Sequence, residues 1–456
     1  MKIAIGTRAV VLGGSLAGLL AARVLADAYA EVTVVERDEL SDAITHRHGV
    51  PQGRHVHGLL ARGQQALEEL LPGLTAELVA HGAPALDMLA DSRLYFGGRR
   101  FRQLPTGLVV VCASRPFLER HIRARIHALP NVTLLDRCDI VGLTSTADNR
   151  RVTGVRVLRR ADGSAEEVIG ADLVIDATGR GSRAPVWLDG LGYSRPDKEQ
   201  IRIELAYATC IYRLPPGALG ADSAVLQGPT PDQPRAGLLQ AIEGGRSILT
   251  LAGMLGERPP TDPDGFHAFA RSLQFPDIHL AIRDAEPFED PVPFRYPANV
   301  RHHYERLTQL PKGFLVTGDA LCHTNPLYGQ GMTMAALHAL ALRRHLARTL
   351  EPDPHRFFKE TARVVDAPWQ LAVGADLAFP EVQGHRTVKQ RLLGWYITRL
   401  HTAAAHDAHV AAAFLRVMSL IDRPEVLLRP SVALPLLRPT RRPPTLASSA
   451  QHSIVP

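Results

Sequence analysis

The stretch Val10-Val11-Leu12-Gly13-Gly14-Ser15-Leu16-Ala17-Gly18 decides the fold of this chain. Apolar, β-branched residues precede the glycines and an Ala/Leu-rich stretch runs from 16 to 25, which predicts a strand, a tight turn and a helix. The spacing matches the dinucleotide-binding turn Gly-x-Gly-x-x-Gly, with Ser15 in place of the middle glycine. Small residues there let backbone amides approach a pyrophosphate, whose negative charge the following helix N-terminus favours.

A second predicted strand, 32–35, follows the helix and ends at Glu36, eighteen residues after Gly18. A carboxylate at this position can accept hydrogen bonds from ribose hydroxyls, so the first 36 residues predict a Rossmann-like dinucleotide-binding unit. Lys2 and the apolar run after it are also typical of a secretory signal. Glycines interrupt that run on the dinucleotide pattern, and we therefore expect no signal peptide.

Another glycine-rich segment lies about three hundred residues later in the sequence. Residues 314–317 predict a short buried strand, Gly318 and Asp319 follow it, and 325–332 leads into a helix that ends near Leu346. An acidic residue at a strand end can hold ribitol hydroxyls, while amides at a helix N-terminus point at the flavin N1 and C2 carbonyl, where reduced flavin carries negative charge. The two segments together predict one FAD site that closes from both sides.

The order of the predicted elements indicates an α/β chain with a second region inserted into the first. Between about 190 and 300, Pro and Gly punctuate β-like runs, which indicates a mostly antiparallel sheet that forms one wall of a substrate pocket. Helical patterns follow at 387–400 and 403–421. The predicted organisation is a Rossmann-like FAD-binding domain of the glutathione reductase type in two parts, 1–189 and 301–347, a β-rich substrate domain, 190–300, a helical C-terminal region, 348–438, and a disordered tail, 439–456.

Composition excludes several other classes of protein. The 456 residues are 45% hydrophobic and 5% aromatic, as expected of a globular α/β enzyme. The net charge of +6 comes from Lys and Arg spread along the chain, without the clustered basic runs of nucleic-acid binders. The four cysteines have no Cys-x-x-Cys spacing, and no segment has the roughly 20 uninterrupted apolar residues of a membrane span. We therefore expect a cytoplasmic enzyme with no nucleic-acid partner and no transmembrane segment.

Several motifs resemble a known enzyme family. Residues 11–18, Glu36 and Gly318-Asp319 together resemble the class A flavoprotein monooxygenases of the p-hydroxybenzoate hydroxylase type. The resemblance covers roughly residues 8 to 345 and continues in part to 438. More specifically, the epoxidases of polyether antibiotic biosynthesis are similar at 49–52 with His55 and His57, at 113–116, at 172–183 and at 325–332.

The resemblance implies an FAD-dependent monooxygenase that inserts one oxygen atom of O2 through a flavin C4a-hydroperoxide. The implied reaction is epoxidation of a double bond in an apolar polyketide or prenyl secondary metabolite. By family role, Arg115 contacts the FAD pyrophosphate, Asp139-Ile140 flanks the adenine and Arg54 lies near the flavin edge. The flavin carries the chemistry, so no catalytic side chain is expected. The residues expected at the FAD site are Gly13, Ser15, Leu16, Ala17, Gly18, Glu36, Arg37, Arg54, Arg115, Ile140, Thr178, Gly179, Gly318, Asp319, Pro326, Gly329, Gln330, Gly331 and Met332.

The third motif departs from the hydroxylases of this family. They usually carry an adjacent Asp-Gly that serves both FAD and NAD(P)H, whereas this chain reads Asp176-Ala177-Thr178-Gly179-Arg180-Gly181-Ser182-Arg183. The departure favours NAD(P)H as an indirect electron donor that acts through a separate flavin reductase. Direct reduction by NAD(P)H is the alternative.

Other reactions stay open at this stage. Aromatic hydroxylation is the main alternative, because it uses the same oxidant and differs only in the carbon presented to it. A geranylgeranyl reductase-like, flavin-dependent reductase shares the style of the segment 176–182, and a protein that binds flavin or a drug without turnover is a further alternative. A flavin halogenase is disfavoured, because the signature Trp-x-Trp-x-Ile-Pro is absent and Trp187, Trp369 and Trp395 stand far apart.

Histidines and aromatic residues supply the remaining candidates. Two His-x-His pairs, 46–48 and 55–57, lack a carboxylate or thiol that would complete a metal-ligand spacing, so no metal is expected. Aromatic residues in strands are more often core than pocket. The candidates for the substrate pocket are Tyr207, Phe294, Tyr296 and Tyr328.

Overall fold

The computed structural model describes residues 5–41, 43–349 and 351–437, so the predicted disordered tail, 439–456, lies outside the described residues. Strands account for both of the sheet regions that the sequence predicts. In chain order they are β1 Gly6–Leu12, β2 Tyr29–Val35, β3 Ala85–Asp87, β4 Ser92–Phe96, β5 Arg99–Arg100, β6 Val109–Val111, β7 Val132–Leu135, β8 Cys138–Ser145, β9 Val152–Arg159, β10 Glu166–Gly170, β11 Leu173–Asp176, β12 Asp197–Arg213, β13 Ala224–Gln227, β14 Arg235–Ile242, β15 Arg246–Gly253, β16 Glu286–Pro287, β17 Val292–His303, β18 Phe314–Val316 and β19 Cys322–His323.

Helices dominate the C-terminal part of the chain. In chain order they are α1 Leu16–Leu25, α2 Ala61–Leu70, α3 Leu74–Ala80, α4 Arg115–His127, α5 Ala184–Gly190, α6 Pro263–Arg271, α7 Asp277–Ile282, α8 Gln330–Leu346, α9 Pro354–Asp376, α10 Val388–Ala404, α11 Ala408–Met418 and α12 Pro430–Leu436.

A five-stranded parallel sheet in the order β18-β11-β1-β2-β7 positions the glycine-rich segments. Its central strand β1 is apolar on both faces, and Val10, Val11 and Leu12 are at most 1% exposed. The sheet is buried because α1 packs against β1, β2 and β11, while β9 of the three-stranded antiparallel sheet β10-β9-β8 packs against β11. The carboxyl ends of β1, β2, β11 and β18 meet at one edge, where doubly wound sheets bind their ligands.

The larger sheet has the order β19-β17-β12-β15-β14-β13-β4-β5, with β16 paired to β12. Its long strands β12, β15 and β17 pair antiparallel, as the sequence between 190 and 300 predicts, whereas β13 and β4 pair parallel. Residues 92–100 therefore contribute strands to this sheet together with residues 197–303.

The C-terminal helices α10 and α11 pack against each other and against the β4 end of the larger sheet. The sequence predicts one helix over 403–421, but the structure breaks it, and α11 starts only at Ala408. The reason is a cap: the Asp407 carboxylate accepts hydrogen bonds from the amides of His409 (2.9 Å) and Val410 (3.3 Å). The sequence predicts a helical region over 348–438 but not the bounds of the long helix α9 within it.

Candidate functional site

The turn between β1 and α1 requires glycine at two positions. Gly13 has a φ of +101°, and a Cβ there would lie 2.7 Å from the carbonyl oxygen of Ala177. A Cβ on Gly18 would lie 1.8 Å from the carbonyl oxygen of Gly13, so any side chain at 18 would force the turn and α1 apart. The two glycines therefore set the close packing of strand, turn and helix that the dinucleotide motif predicts.

The donors at the N-terminus of α1 converge on one carboxylate oxygen. Oε1 of Glu119 accepts hydrogen bonds from the Leu16 amide (3.2 Å), from Nη2 of Arg115 (2.7 Å) and from the Ser15 hydroxyl. Arg47 donates to the other oxygen of Glu119 at 2.8 Å. Burial raises the pKa of Glu119, but Arg115 and Arg47 outweigh that effect and hold it well below the usual glutamate value. An amide, a hydroxyl and two guanidiniums form a donor set suited to an oxyanion.

Glu36 lies buried against the same turn. Its Oε2 accepts a hydrogen bond from the Gly14 amide at 2.7 Å, its Oε1 accepts one from the Asp38 amide at 3.0 Å, and Arg47 lies 3.2 Å from Oε2. A Cβ on Gly14 would lie 3.0 Å from the Glu36 Cβ. Since each carboxylate oxygen can accept two hydrogen bonds, Glu36 retains capacity for a further donor.

The third motif braces the glycine turn from the neighbouring strand β11. The fully buried Asp176 accepts hydrogen bonds from the Thr178 amide (2.9 Å), the Thr178 hydroxyl (2.6 Å) and the Ser182 hydroxyl (2.6 Å). Burial raises the pKa of Asp176, and these hydrogen bonds oppose the shift. Gly179 follows with a φ of +76° and open space beside it. The Asp176 carboxylate is thus engaged within its own turn.

The two glycine-rich segments are in direct contact. Gly318, directly after β18, has a φ of +65°, and a Cβ there would lie 2.7 Å from the Cβ of Ala17 in α1. The Gly318 amide donates to Nδ1 of the buried His338 at 3.1 Å. Burial lowers the pKa of His338 to about 4, so the imidazole is neutral and accepts through Nδ1. The end of β18, the first turn of α1 and the third turn of α8, at His338, therefore lie together.

Two polar side chains of the segment 318–332, Asp319 and Gln330, have groups that the described residues leave without a partner. Among the described residues, none donates a hydrogen bond to the partly buried Asp319 carboxylate, whose pKa is raised by burial. Within the same part of the chain, the buried amide nitrogen Nε2 of Gln330 also has no partner. Gly331 is exposed, and a Cβ there would meet nothing within 4 Å. Gly329 caps α8 with a φ of +63°, Met332 is buried in its first turn, and Pro326 is exposed in the preceding loop.

Three residues predicted to bind FAD, Arg37, Arg54 and Ile140, lie outside the two glycine-rich segments. Arg37 and Arg54 have exposed side chains, and Arg37 lies 3.9 Å from Asp38. Ile140 packs, partly buried, against the main core. In the described ranges, no side-chain hydrogen bond joins any of the three to the Glu119 cluster.

A cavity of about 1660 Å³ lies between part of the larger sheet and the C-terminal helices. Its lining is mostly apolar and runs from His57 and the loop 326–329 to residues of α9, α10 and α11. Of the four predicted pocket aromatics, Tyr207 and Tyr328 line it. Phe294 instead stacks on Tyr207 with centroids 5.1 Å apart, and the hydroxyl of Tyr296 hydrogen-bonds Nδ1 of His323 at 2.6 Å. Trp395 and Phe414, on the helical wall, were not predicted.

The histidines of the 55–57 pair are satisfied by the protein. His55 hydrogen-bonds Thr209 at 2.8 Å through Nδ1 and packs edge-on to Tyr207. His57 donates from Nδ1 to the carbonyl oxygen of His55 at 2.9 Å. Burial lowers the pKa of His55 to about 3 and that of His57 to about 4. Across residues 5–41, 43–349 and 351–437, no group of three or more His, Cys, Asp and Glu side chains is arranged to hold a metal.

The sequence did not predict two residues at the N-terminus of α1, Glu119 and Arg47. Glu119 lies four residues after Arg115 on α4, and that spacing was a usable signal, because it places the two side chains on one helix face. Arg47 lies in an irregular segment, where spacing carries no such information.

Solved structures with the same fold cover most of the chain. The flavin-dependent brominase Bmp2 shares 14% identity over 91% of this chain and 93% of its own, with a TM-score of 0.64. The p-nitrophenol 4-monooxygenase PnpA of Pseudomonas putida DLL-E4 shares 16% identity over 92% and 99%, with a TM-score of 0.63. A flavoprotein/dehydrogenase of Cytophaga hutchinsonii shares 14% over 94% and 97%, with a TM-score of 0.65. The fold is thus that of the FAD-binding flavoprotein monooxygenases, and the predicted fold class is confirmed.

The chain belongs to the same family as Protein Rv3254 of Mycobacterium tuberculosis (strain ATCC 25618 / H37Rv), with 37% identity over 435 residues, 91% of this chain and 90% of that protein. The kynurenine 3-monooxygenase of Salinispora arenicola (strain CNS-205) is 35% identical over 177 residues, 38% of this chain and 36% of that enzyme. No family model matches the sequence. The predicted kind of enzyme, an FAD-dependent monooxygenase, agrees with the structural neighbour PnpA and with the kynurenine 3-monooxygenase. In the described part of the chain, no helix has the length and apolar character of a membrane span.

Proposed function

We propose that this chain binds FAD between the N-termini of α1 and α8 and uses it as a monooxygenase. The contact between Gly318 and Ala17 carries the proposal, because it brings together two segments that each suit one half of the cofactor. The Asp319 carboxylate, which accepts no hydrogen bond from the described residues, and Gly331, where a Cβ would meet nothing within 4 Å, support the same site.

The residues present fit FAD. A Cβ on Gly13 would lie 2.7 Å from the carbonyl oxygen of Ala177, and one on Gly14 would lie 3.0 Å from the Glu36 Cβ. Glycine at these positions lets the backbone approach a pyrophosphate closely. In this proposal Leu16 and Arg115 hold the pyrophosphate and Glu36 the adenosine ribose. Asp319 and the first turn of α8, with Gly331 and Met332, hold the ribitol and the flavin ring.

Bound and reduced FAD supplies an electrophilic oxygen atom from O2 when this chemistry operates. The chain's own task is to hold an electron-rich carbon at the flavin edge and to exclude water. The cavity suits that task, since it begins at the loop before α8 and continues between apolar walls.

We propose epoxidation of a double bond in a large, apolar polyketide or prenyl metabolite as the reaction. The cavity of about 1660 Å³ exceeds the roughly 300–1,000 Å³ of a drug-sized site and has room for a long substrate. An alkene needs no ionisation, which suits a cavity whose His57 and His401 are weak bases, each with a pKa lowered by burial to about 4.

Aromatic hydroxylation is the second candidate. The names of the partial relative, a kynurenine 3-monooxygenase, and of the structural neighbour PnpA favour it. NAD(P)H is the proposed electron source, acting through a separate flavin reductase, because the Asp176 carboxylate is engaged by Thr178 and Ser182 within its own turn.

Product mass spectrometry under ¹⁸O-labelled dioxygen tests the reaction, with a polyene and a phenol offered in parallel. Epoxidation predicts one labelled oxygen in the polyene product and its opening by acid to a diol or cyclic ether. A labelled phenol beside an untouched polyene would assign the chain to the hydroxylases. Loss of the polyene's double bonds without oxygen uptake would assign it to the reductases.

A further inference from the structure

A buried carboxylate outside the FAD motifs ties three parts of the fold together. Asp376, the last residue of α9, is fully buried. Its Oδ1 accepts hydrogen bonds from the Tyr328 hydroxyl at 2.6 Å and from the side-chain amide of Asn325 at 2.8 Å. Its Oδ2 accepts one from the side-chain amide of Asn299 at 2.6 Å.

The two asparagines extend this network into the backbone of the loop before α8. The backbone amide of Asn325 donates to Oδ1 of Asn299, and Oδ1 of Asn325 accepts from the backbone amide of Leu327 at 3.0 Å. Both asparagine side chains are thus fixed in one orientation, with their amide nitrogens facing Asp376. A carboxylate, which accepts only, is the group that this arrangement requires at position 376.

The network connects the loop before α8, at the proposed flavin end of the site, to residues that line the cavity. Asn299 belongs to β17 of the larger sheet, and Asn325 and Tyr328 belong to the loop that enters α8. Tyr328 lines the cavity, and so do Leu377, directly after Asp376, and Phe379, three residues after it. Asp376 therefore joins the loop 325–329 to the end of α9 through side-chain hydrogen bonds.

Burying a carboxylate is unfavourable unless donors compensate for the lost water. Burial raises the pKa of Asp376, and the hydrogen bonds from Tyr328, Asn299 and Asn325 oppose that shift. Packing alone would be served by an apolar residue, so a buried carboxyl group that accepts from three side chains points to a requirement for orientation.

We propose that Asp376 is a positioning residue for FAD, which fixes Asn325 and Tyr328 and thereby sets the loop 325–329 and the first turn of α8 against the flavin. This inference rests on the proposed function. Its consequence is that affinity for FAD and the flavin midpoint potential both depend on a residue of the C-terminal helical region.

The test exchanges the amide and the carboxylate within the network. Asp376→Asn keeps the shape but turns an amide nitrogen toward the amide nitrogen of Asn299, so one hydrogen bond is lost. Adding Asn299→Asp restores this hydrogen bond, because the new carboxylate at 299 accepts from the new side-chain amide at 376. The carboxylate at 299 also still accepts from the backbone amide of Asn325. The side-chain oxygen at 376 still accepts from the Asn325 side-chain amide and from the Tyr328 hydroxyl. We expect Asp376→Asn to weaken FAD binding at least tenfold and to shift the midpoint potential, and the double variant to recover both.

The measurements are FAD titration of each apoprotein, the flavin midpoint potential and absorption spectrum, and thermal unfolding of the apoproteins as the control for folding. Parent affinity and potential in Asp376→Asn, or no recovery in a folded double variant, would overturn the inference. If Asp376→Asn does not fold, Tyr328→Phe decides, because it removes one donor to Asp376 and should weaken FAD binding; unchanged affinity and potential would overturn the inference. A folded parent that binds no FAD would overturn the proposed function instead.

Discussion

Replacing Gly331 by alanine should make the apoprotein more stable and its FAD complex weaker. Gly331 is the second residue of α8, and a Cβ there would have no protein atom within 4 Å. Alanine is favoured over glycine in helices by up to about 1 kcal/mol. With an unfolding entropy of about 2.1 cal/mol/K per residue over 456 residues, that gain corresponds to about 1 °C in Tm.

The effect on FAD has the opposite sign. In the proposed complex the flavin lies against the backbone of the first turn of α8, where contacting carbons are roughly 3.5–4.0 Å apart. An added methyl group extends the backbone by about 1.5 Å, so the ring has to withdraw from the helix amides. A tenfold weaker Kd, about 1.4 kcal/mol, is the smallest loss we expect.

Titration of the apoproteins with FAD, followed by flavin fluorescence, measures this effect beside thermal unfolding. Gly190→Ala is the matched control, because Gly190 ends α5, is exposed and has nothing within 4 Å of an added Cβ. It should gain similar stability and keep the parent Kd. A Gly331→Ala protein with the parent Kd would show that the flavin does not lie at α8.

Three further predictions concern the cofactor site. Asp319→Ala should weaken FAD binding more than Glu36→Gln, because Asp319 is free for the ribitol whereas Glu36 already accepts from Gly14; titration of both apoproteins decides, and a parent-like Asp319→Ala would contradict the assignment. NAD(P)H alone should reduce the bound flavin slowly in anaerobic stopped-flow, and fast, saturable reduction in the presence of substrate would refute a separate reductase. Glu119→Gln should destabilise the apoprotein at neutral pH; since Arg115 and Arg47 hold the pKa of Glu119 below the ordinary 4.5, the ion pairs stabilise the fold above that pH and are lost as the pH falls below it, so melting curves of parent and variant should converge in acid.

Local geometry made the glycine turns predictable. Gly13 and Gly18 are required by a positive φ or by a carbonyl oxygen that leaves no room for a Cβ, and such constraints act within a few residues of sequence. The contact of Gly318 with α1 was predictable because each segment suits one half of the same ligand.

The substrate wall was less predictable from the sequence. Amphipathic helices indicate that α10 and α11 bury one face, but the periodicity does not say against which partner. Phe294 and Tyr296 lie two residues apart on β17 and so share one face, which meets the Arg180 guanidinium at 5.2 and 5.5 Å from the ring centroids. Which face of a strand meets a cavity is settled by tertiary packing, and so is the meeting of Asp376 with its three donors.

The most direct test of the account is the flavin content of the folded, purified protein after reconstitution with FAD. Acid precipitation followed by chromatography of the supernatant should release one noncovalently held FAD per chain. Recovery of FMN only, or of no flavin from a folded preparation, would contradict the assignment of the α1 and α8 N-termini to this cofactor.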